Sequence, residues 1–346
     1  MSKGNVTLGD VAAAAGVSVG TASRALGAVG RVSEATRERV RAAAERLDFR
    51  PDALARSFVT GRSATVGVLA EHAVGLHSMP VLVGASERLG ERGIATLMRD
   101  AHATRSELAE HLKTLRARRV DALLVVGDTP DITEIAESLD FPSPLVFANI
   151  EPSAGQRCVV TADERQAGEL AAAHLLGLGR RRIAHITASA ALPAVALRAA
   201  GLVDALSARG VELVTGGSLH GSYEREWGYE ATQRLLTARE GFDAVVAGND
   251  GVAGGVLAAL AEAGRRVPDD VAVIGHDNLE RHTARGIQSL TSIDPSRVDI
   301  GRAAADAVLA AIAGEETAPV IRVPVALAVG RSTTGPTLSP FRDIDR

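Results

Sequence analysis

The chain carries two patterns of apolar positions, one before about residue 62 and one after it. In the first segment, apolar residues recur at the spacing of amphipathic helices, and Leu8, Val11, Ala12 and Ala15 form the first such set. From Thr65 onward, short continuous apolar runs alternate with helical patterns. This change predicts a small all-α head followed by a larger α/β body.

The head begins with two short helices around a tight turn. Thr7 can cap the first helix with Asp10 answering it, Gly16 supplies the left-handed residue that ends it, and Ser18 caps the second. Near the solvent side or the start of the second helix lie Val19, Gly20, Thr21, Ser23 and Arg24. We interpret this as a helix-turn-helix that presents its second helix to the major groove of DNA. An ordinary small helical bundle with a solvated face remains the alternative.

The rest of the head contains one more helix and a segment that we expect to fold only on binding. Ser33 can cap a third helix that runs to about Leu47, in which Val40, Ala43 and Ala44 recur at helical spacing. Pro51 then interrupts the chain. Residues 52–62 could form about two turns of helix, which is marginal alone in water. We therefore expect this segment to become ordered only on a partner.

The body has two series of apolar runs separated by helical stretches. The runs that we interpret as strands are 66–69, 94–98, 122–126 and 145–148, then 183–186, 211–214, 244–247 and 271–274. Helical stretches between them include 105–116, 167–176 and 224–236. Continuous apolar strands with helical crossovers are typical of parallel sheets covered on both faces. Two doubly wound lobes with a cleft between their strand ends are predicted.

Charge and composition refine this picture. Residues 1–62 hold ten Lys and Arg against six Asp and Glu, and the other 284 residues hold 28 against 36, from totals of 38 and 42. A basic head on an acidic body suits a protein whose one end meets phosphates. The single cysteine, Cys158, excludes an intrachain disulfide and fits a reducing cytoplasm. Its apolar run favours a buried strand residue over a reactive thiol.

Several functional classes have no support in the sequence. No run of 18 apolar residues and no apolar signal segment occur, so we expect neither membrane insertion nor export, and a cytoplasmic location. No nucleophile–base pair, metal-ligand spacing or Walker loop is visible, and residues 248–255 only loosely resemble a phosphate loop. We therefore expect no enzyme activity, no cofactor and no metal site.

The motifs of the head resemble those of the lac repressor family of bacterial transcription regulators. The matching residues are Thr7, Asp10, Val11, Ala12, Gly16, Val17, Ser18, Thr21, Ala22, Ser23, Arg24 and Leu26. Residues 32–40 and 50–57 look like the family's third helix and hinge, and the likeness continues through both lobes. Ala22 stands where the family usually has valine, and Gly27 replaces the usual asparagine, which puts one polar contact in doubt.

The resemblance implies a sequence-specific regulator, by default a repressor, that binds a palindromic operator as a homodimer. It places Val19, Gly20 and Arg24 at base edges. The other residues that it places at double-stranded DNA are Thr7, Ser18, Thr21, Ser23, Leu54, Ala55, Ser57 and Phe58. Phe58 would insert between base pairs of the minor groove, although an ordinary apolar contact between hinge and body is the alternative. No heptad helix follows the second lobe, so we expect a dimer.

The resemblance also implies a small-molecule effector, most simply a sugar, that closes the two lobes. The residues matched to the effector site are His77, Asn149, Arg198, Tyr223, Asn249, Asp250 and Asp277. A guanidinium, carboxylates and an aromatic face suit the hydroxyls and the apolar ring side of a polyol. Arg198 and Asp277 could instead form a structural ion pair, and Asn249 and Asp250 an ordinary helix N-cap. His77 could be only a partly exposed loop histidine.

These expectations divide the chain as follows: a head over 1–50, a hinge over 51–63, a first lobe over 64–162 plus 291–323, a second lobe over 163–290 plus 324–338, and a tail over 339–346. Two other interpretations remain open. One is a regulator of the same fold that responds to a protein partner or to no ligand. The other is a sugar-binding protein or enzyme that uses the same lobes.

Overall fold

The computed structural model describes residues 6–27, 32–49, 61–101, 105–127, 141–152, 158–238, 241–279 and 289–335. The chain divides into two compact units, Met1–Ala64 and Thr65–Arg346. Among the described residues, no helix has the length and apolar character needed to cross a membrane.

The head contains the helices α1 (Leu8–Ala15), α2 (Val19–Leu26) and α3 (Glu34–Arg46). A capping box starts α1: the Thr7 N–H and hydroxyl both donate to the Asp10 carboxylate, at 2.8 and 2.7 Å, and the Asp10 N–H donates back to Thr7 Oγ1. Gly16 ends α1 with a φ of 65°, a left-handed conformation that glycine adopts at little cost. Ser18 and Ser33 cap α2 and α3.

The three helices close one small core, and its buried members are Val11, Ala12, Ala22, Ala25, Val40, Ala43 and Ala44. Arg37 of α3 also donates to the carbonyl oxygen of Ala25 at 3.2 Å, which fastens the end of α2 to α3. The helix-turn-helix predicted from caps and apolar spacing is confirmed, together with its third helix.

The body is built from strands and helices that alternate along the chain. The strands are β1 (Thr65–Ala70), β2 (Ala95–Asp100), β3 (Ala122–Val126), β4 (Leu145–Ala148), β5 (Cys158–Ala162), β6 (Ile183–Ala188), β7 (Leu219–Gly221), β8 (Ala244–Ala247), β9 (Ala272–His276), β10 (Thr291–Asp294), β11 (Val320–Val323) and β12 (Ala326–Ala328). The helices are α4 (Ser78–Gly90), α5 (Arg105–Ala117), α6 (Glu164–Gly177), α7 (Pro193–Ser207), α8 (Arg225–Ala238), α9 (Asp250–Glu262), α10 (Arg297–Ala313) and α11 (Arg331–Thr334).

The strands form two sheets, each the centre of a lobe. The first has the order β11-β5-β4-β3-β1-β2, and the strands in it are parallel. The second has the order β12-β10-β9-β8-β6-β7, in which only β12 runs antiparallel to its neighbour. Val68 and Leu69 of β1 enter different core clusters, so both faces of the first sheet are covered. The predicted α/β fold with two doubly wound lobes is confirmed.

One predicted strand is wrong. Residues 211–214 form no strand, and β7 at Leu219–Gly221 pairs with β6 instead. Val211 and Leu213 are buried, which explains the apolar run. The Val211 N–H, however, donates to the Leu206 carbonyl and the Val214 N–H to the Ile183 carbonyl. The segment therefore closes the end of α7 and makes no ladder of its own.

One predicted lobe boundary also needs correction. Residues 291–294 were assigned to the first lobe, but β10 pairs in parallel with β9 of the second sheet. The chain therefore passes to the first lobe between Asp294 and Arg297, where α10 begins and packs against α4 and the first sheet. Arg297 thus stands directly at a crossover between the lobes.

Three helix pairs pack with their backbones in close contact. A Cβ added to Gly168 of α6 would overlap the Arg198 carbonyl oxygen of α7, and one added to Gly201 would overlap the Arg165 carbonyl oxygen. Gly84 and Gly301 have the same relation between α4 and α10, as do Gly228 and Gly255 between α8 and α9. Only glycine permits this approach, which fixes where the side chains near these contacts can reach.

Candidate functional site

The face of α2 opposite the head core is exposed. Val19 is 52% exposed although it is apolar, and Gly20, Ser23 and Arg24 are exposed beside it. A Cβ at Gly20 would meet no atom within 4 Å. Packing within the described head therefore does not dictate these residue types. We call these four residues the α2 face.

The hydroxyl groups at the starts of α1 and α2 have local roles. Ser18 Oγ accepts from the Thr21 N–H at 3.1 Å, and the two hydroxyls lie 2.9 Å apart. The hydrogen bonds from the Thr7 backbone and then its hydroxyl lower the pKa of Asp10. Arg24 Nε donates to the Gly20 carbonyl at 3.1 Å, so this side chain lies along α2 toward its N-terminus. The Arg24 side chain and the hydroxyl groups of Ser18 and Thr21 thus lie near the exposed start of α2.

Four residues expected at DNA, Leu54, Ala55, Ser57 and Phe58, lie outside the described residues. Their placement stays a prediction.

In the second lobe, Arg198 forms a buried ion pair with Glu164. Its Nε and Nη2 donate to Glu164 Oε2 at 2.9 and 2.7 Å, and its Nη1 donates to the Gly248 carbonyl. Burial raises the pKa of Glu164, but the charges of Arg198 and His276 outweigh it and lower the pKa to about 2. The close contact of α6 and α7 at Gly168 brings the two side chains together. The sequence analysis gave a structural ion pair of Arg198 and Asp277 as an alternative. Arg198 does form such a pair, but its partner is Glu164.

A line of polar side chains continues from this pair. His276 Nε2 lies 3.4 Å from Glu164 Oε2, and its Nδ1 donates to Asp277 Oδ1 at 3.1 Å. The same Asp277 oxygen accepts from Arg297 Nη2 at 2.7 Å, and that nitrogen lies 2.8 Å from His77 Nδ1. We call Arg198, Glu164, His276, Asp277, Arg297 and His77 the ionic chain.

The charges of the ionic chain shift the pKa values of Asp277, His276 and Arg198, in addition to that of Glu164. Burial raises the pKa of Asp277, but Arg297 and His276 hold it well below the usual range. Burial and Arg198 lower the pKa of His276, but Glu164 and Asp277 outweigh them and raise it. Burial lowers the pKa of Arg198, while Glu164, Tyr223 and Asp277 raise it overall. Both carboxylates and the Arg198 guanidinium therefore stay charged in neutral solution.

Asp277 sits in a turn that the rest of the lobe holds in place. Asp277 and Asn278 have φ values of 104° and 51°, which are costly for residues other than glycine. Their N–H groups donate to the Ile293 carbonyl and to Ser292 Oγ, and the Leu279 N–H donates to Asp250 Oδ2 at 2.7 Å. Three successive N–H groups thus fix the turn that carries the Asp277 carboxylate.

Asp250 has both carboxylate oxygens engaged within the chain, since Ser292 Oγ donates to its Oδ1 at 2.6 Å in addition to the Leu279 contact. Burial raises the pKa of Asp250 to about 6, although both hydrogen bonds lower it in part. Asn249 is the N-cap of α9: its Oδ1 accepts from the Val252 N–H at 2.8 Å, and its Nδ2 donates to the Tyr223 carbonyl. The N-cap interpretation of this pair thus holds for Asn249, whereas Asp250 supports the turn.

The other two expected effector residues lie at loop positions. Tyr223 is 36% exposed before α8, close enough to act on the charge of Arg198. Asn149 follows β4 in the first lobe with a φ of 64°, and its N–H donates to the Val160 carbonyl. The structure therefore joins Arg198, Asp277, Tyr223, Asn249, Asp250 and His77 by contacts or charges in one region.

Glu164, His276 and Arg297 were missed in the sequence analysis. A positional signal existed for all three. His276 is the last residue of β9, and Glu164 and Arg297 are the first residues of the helices that follow β5 and β10. Carboxyl ends of parallel strands are where such folds bind ligands. Within the part of the chain that the structure describes, no group of three or more His, Cys, Asp or Glu could hold a metal ion.

Comparison with known families gives two matches. Residues 7–52 match the model of bacterial regulatory proteins of the lacI family, and residues 172–333 match the periplasmic binding protein-like domain. Among curated proteins, the chain is 30% identical to the HTH-type transcriptional repressor PurR of Mannheimia succiniciproducens, over 86% of this chain and 89% of the relative. It is 30% identical to the ribose operon repressor of Escherichia coli, over 88% of this chain and 92% of that protein.

Solved structures show the same architecture. The lac repressor dimer bound to operator and the anti-inducer ONPF superposes with a TM-score of 0.70 at 24% identity, over 95% of this chain and 99% of that one. The complex of the transcriptional regulator CelR with cellobiose superposes with a TM-score of 0.63 at 27% identity, over 95% of this chain and 100% of that one.

Proposed function

The chain belongs to the lacI family of bacterial regulatory proteins, and we propose that it is a transcriptional repressor that binds a palindromic operator as a homodimer. The α2 face carries this proposal, because it offers exposed small and cationic side chains that packing does not require. A helix of this kind reads base edges in the major groove, and short hydroxyls position it on phosphates. Arg24 would bind a guanine, Thr21 and Ser23 phosphate oxygens, and Val19 and Gly20 would make close apolar contact.

Selection from random duplex DNA tests this function, and an enriched inverted repeat is expected. On the selected operator, Arg24→Ala should lose about 1–3 kcal/mol of discrimination at one base pair per half-site. Arg46→Ala removes another exposed arginine of the head and serves as the control, since it should change no single base preference. Equal weakening on all sequences by Arg24→Ala would contradict the reading role.

For residues 51–63 we propose a hinge whose Leu54, Ala55, Ser57 and Phe58 contact the minor groove when two heads are bound. Phe58 would unstack a base step and bend the duplex. Phe58→Ala should therefore bind an operator that is less bent, as measured by fluorescence transfer between dyes at the two DNA ends. An unchanged bend would favour a contact between the hinge and the body.

For the dimer we propose a face on the first lobe that includes β2 and α4. β2 is an edge strand with exposed residues, among them Met98 at 50%, and α4 exposes Met79 and Val83 at 44% and 43%. An exposed apolar edge strand favours association unless a partner covers it. Met98→Glu should give monomers in sedimentation at micromolar protein. Leu178→Glu, an exposed apolar position on the second lobe, should remain dimeric.

For the effector we propose a sugar bound at the ionic chain, with Arg198, Asp277 and Tyr223 as its main contacts. The relative solved with cellobiose supports a saccharide. Arg198 already has Glu164 and Gly248 as partners, so the sugar must replace one of them or use the remaining N–H groups. Thermal-shift screening of mono- and oligosaccharides tests this. A hit should be lost in Asp277→Asn and kept in Asp306→Asn, an exposed aspartate of α10.

A second candidate is a repressor that responds to a protein partner or to no ligand. The observation that favours it is that Arg198 and Asp277 already have charged partners within the chain. A screen in which no saccharide raises the melting temperature, with operator binding intact, would favour this candidate. In either case we propose a cytoplasmic regulator without catalytic activity of its own.

A further inference from the structure

We infer that His77 and Arg297 position the Asp277 carboxylate: neutral His77 holds Arg297 against Asp277, and this hold is lost when His77 gains a proton. The inference deepens the proposed function, because it concerns the regulation of the proposed effector site.

The contact joins the two lobes. Asp277 follows β9 of the second sheet, whereas Arg297 begins α10 and His77 precedes α4, and these two helices pack together on the first lobe. The close contacts at Gly84 and Gly301 fix α4 against α10, which keeps His77 beside Arg297. The 2.7 Å contact from Arg297 to Asp277 is therefore a bridge between lobes, and His77 supports its first-lobe end.

The geometry fixes the protonation state that this support needs. A guanidinium has only donors, so at 2.8 Å from Arg297 Nη2 the His77 Nδ1 must accept. Nδ1 can accept only in the neutral imidazole with its proton on Nε2. A proton added to Nδ1 would replace the acceptor by an N–H that faces the guanidinium, and two cations would then be in contact.

His276 has the opposite requirement. Carboxylate oxygens of Glu164 and Asp277 lie at 3.4 and 3.1 Å from its two ring nitrogens, and both positions favour an N–H. The charged form of His276 therefore fits its site, as the neutral form of His77 fits its own. His276 donates from Nδ1 to Asp277 both in its charged form and in the neutral tautomer with its proton on Nδ1. The bridge from Arg297 to Asp277 therefore depends on pH through His77.

Among the described residues, the charged and titratable groups around this contact include Arg297 on α10, Asp277 and His276 at the end of β9, and Glu71 and His72 on the loop that carries His77. Asp277 favours a proton on His77, whereas Arg297, whose Nη2 lies 2.8 Å from His77 Nδ1, opposes it. Acidification thus replaces a hydrogen bond to Arg297 by repulsion, and Asp277 becomes more available to an incoming hydroxyl donor.

The test compares His77→Gln with His77→Leu in the full chain without effector or DNA. Gln keeps an acceptor for Arg297 but cannot gain a proton, whereas Leu has no acceptor. The melting temperature of His77→Gln relative to wild type should rise by about 4 °C between pH 8 and pH 5, because the unfolded wild type binds a proton at His77 that the folded state excludes. His77→Leu should melt about 2–4 °C below wild type at pH 8, and this deficit should shrink at pH 5.

His72→Gln is the matched control, since His72 is an exposed histidine of the same loop. Its melting temperature relative to wild type at pH 5 and pH 8 is the baseline against which the change in His77→Gln is measured. Nitrogen-15 spectra of labelled histidine give a direct reading: the resonance that disappears in His77→Gln should show the Nε2–H tautomer at pH 7.5.

Two results would overturn the inference. One is a His77 ring that is doubly protonated at pH 7.5, and the other is a difference between His77→Gln and wild type that is the same at pH 5 and pH 8. Both measurements use the free protein. A failure to find an operator or a sugar would therefore leave them unaffected, and their failure would leave operator binding intact.

Discussion

Replacing one partner of the buried ion pair of Arg198 and Glu164 should destabilise the protein far more than replacing both. Glu164→Gln leaves the guanidinium in a site where both side chains are at most 10% exposed. Removal of one partner from such a pair costs about 3–5 kcal/mol, since the remaining charge is buried without compensation. For a body of this size, that corresponds to a fall in the melting temperature of about 6–10 °C.

The double variant Glu164→Leu with Arg198→Met removes both charges. Apolar replacements of a buried pair are often neutral or stabilising, but the Gly248 carbonyl loses the donor that Arg198 supplied. The double variant should therefore unfold within about 2 kcal/mol of the wild type. Urea unfolding at pH 7 measures these values. The pair contributes fully there, since its stabilisation is lost only as the pH falls from about 4.3 toward the Glu164 pKa of about 2.

The same two helices supply a control. Arg165 of α6 and Asp204 of α7 form an ion pair at 2.5 Å, but their side chains are 48% and 60% exposed. Asp204→Asn should therefore unfold close to wild type, since water screens the pair and solvates the arginine that remains. If Glu164→Gln unfolded as easily as Asp204→Asn, or if the double variant lost the sum of the two single losses, the assignment of a buried, mutually dependent pair would be wrong.

Three further outcomes are expected. Gly168→Ala should lower the free energy of unfolding, measured by urea unfolding, by about 1–3 kcal/mol or more, because the added Cβ would overlap the Arg198 carbonyl oxygen. Gly90→Ala, where no atom lies within 4 Å of the added Cβ, should not lower it. Gly20→Ala should be as stable as wild type or about 0.5–1 kcal/mol more stable, yet repeated operator selection should return a changed base preference. The free energy of unfolding of Asp250→Asn, relative to that of wild type, should rise by about 2 kcal/mol between pH 4 and pH 7. Burial raises the Asp250 pKa to about 6, so the folded wild type binds a proton more tightly than the unfolded chain and loses this stabilisation over that range. Denaturant unfolding at several pH values measures this gain, and a constant difference would contradict it.

The head could be predicted almost completely because its signals are local. Thr7 with Asp10, Gly16 and Ser18 specify helix ends within a few residues of themselves, and the structure shows each of them in that role. The interior strands were equally visible, since each is a continuous apolar run buried on both faces. Local chemistry and apolar pattern agree in these elements.

The edges of the body could not be predicted in the same way. β10 contains a single apolar residue, Ile293, and its place in the second sheet depends on pairing with β9 and β12. The run 211–214 gave a false strand, because burial against α7 and pairing in a sheet select the same apolar residues. Such elements are decided by partners that lie elsewhere in the sequence.

The sequence analysis named Arg198, Asp277 and His77 of the ionic chain and missed the three residues that connect them, Glu164, His276 and Arg297. Arg198 and Asp277 match a motif, but the acid that holds Arg198 lies 34 residues before it, and no local pattern connects the two. Arg297 lies 20 residues beyond Asp277, across the crossover that the sequence analysis placed too early. Contacts of this kind follow from the fold, because glycine contacts between helices decide which side chains meet.

The two ends of the ionic chain differ in what an effector would have to break. Glu164 and Arg198 lie on α6 and α7 of the same lobe, so a sugar that separates them breaks an ion pair within that lobe. Asp277 is held by Arg297 across the crossover, so a sugar that takes its carboxylate removes a bridge between lobes. A ligand shifts a conformational equilibrium only through interactions that differ between the two states. Arg198 would therefore contribute mainly affinity, and the signal to the rest of the molecule would pass through Asp277.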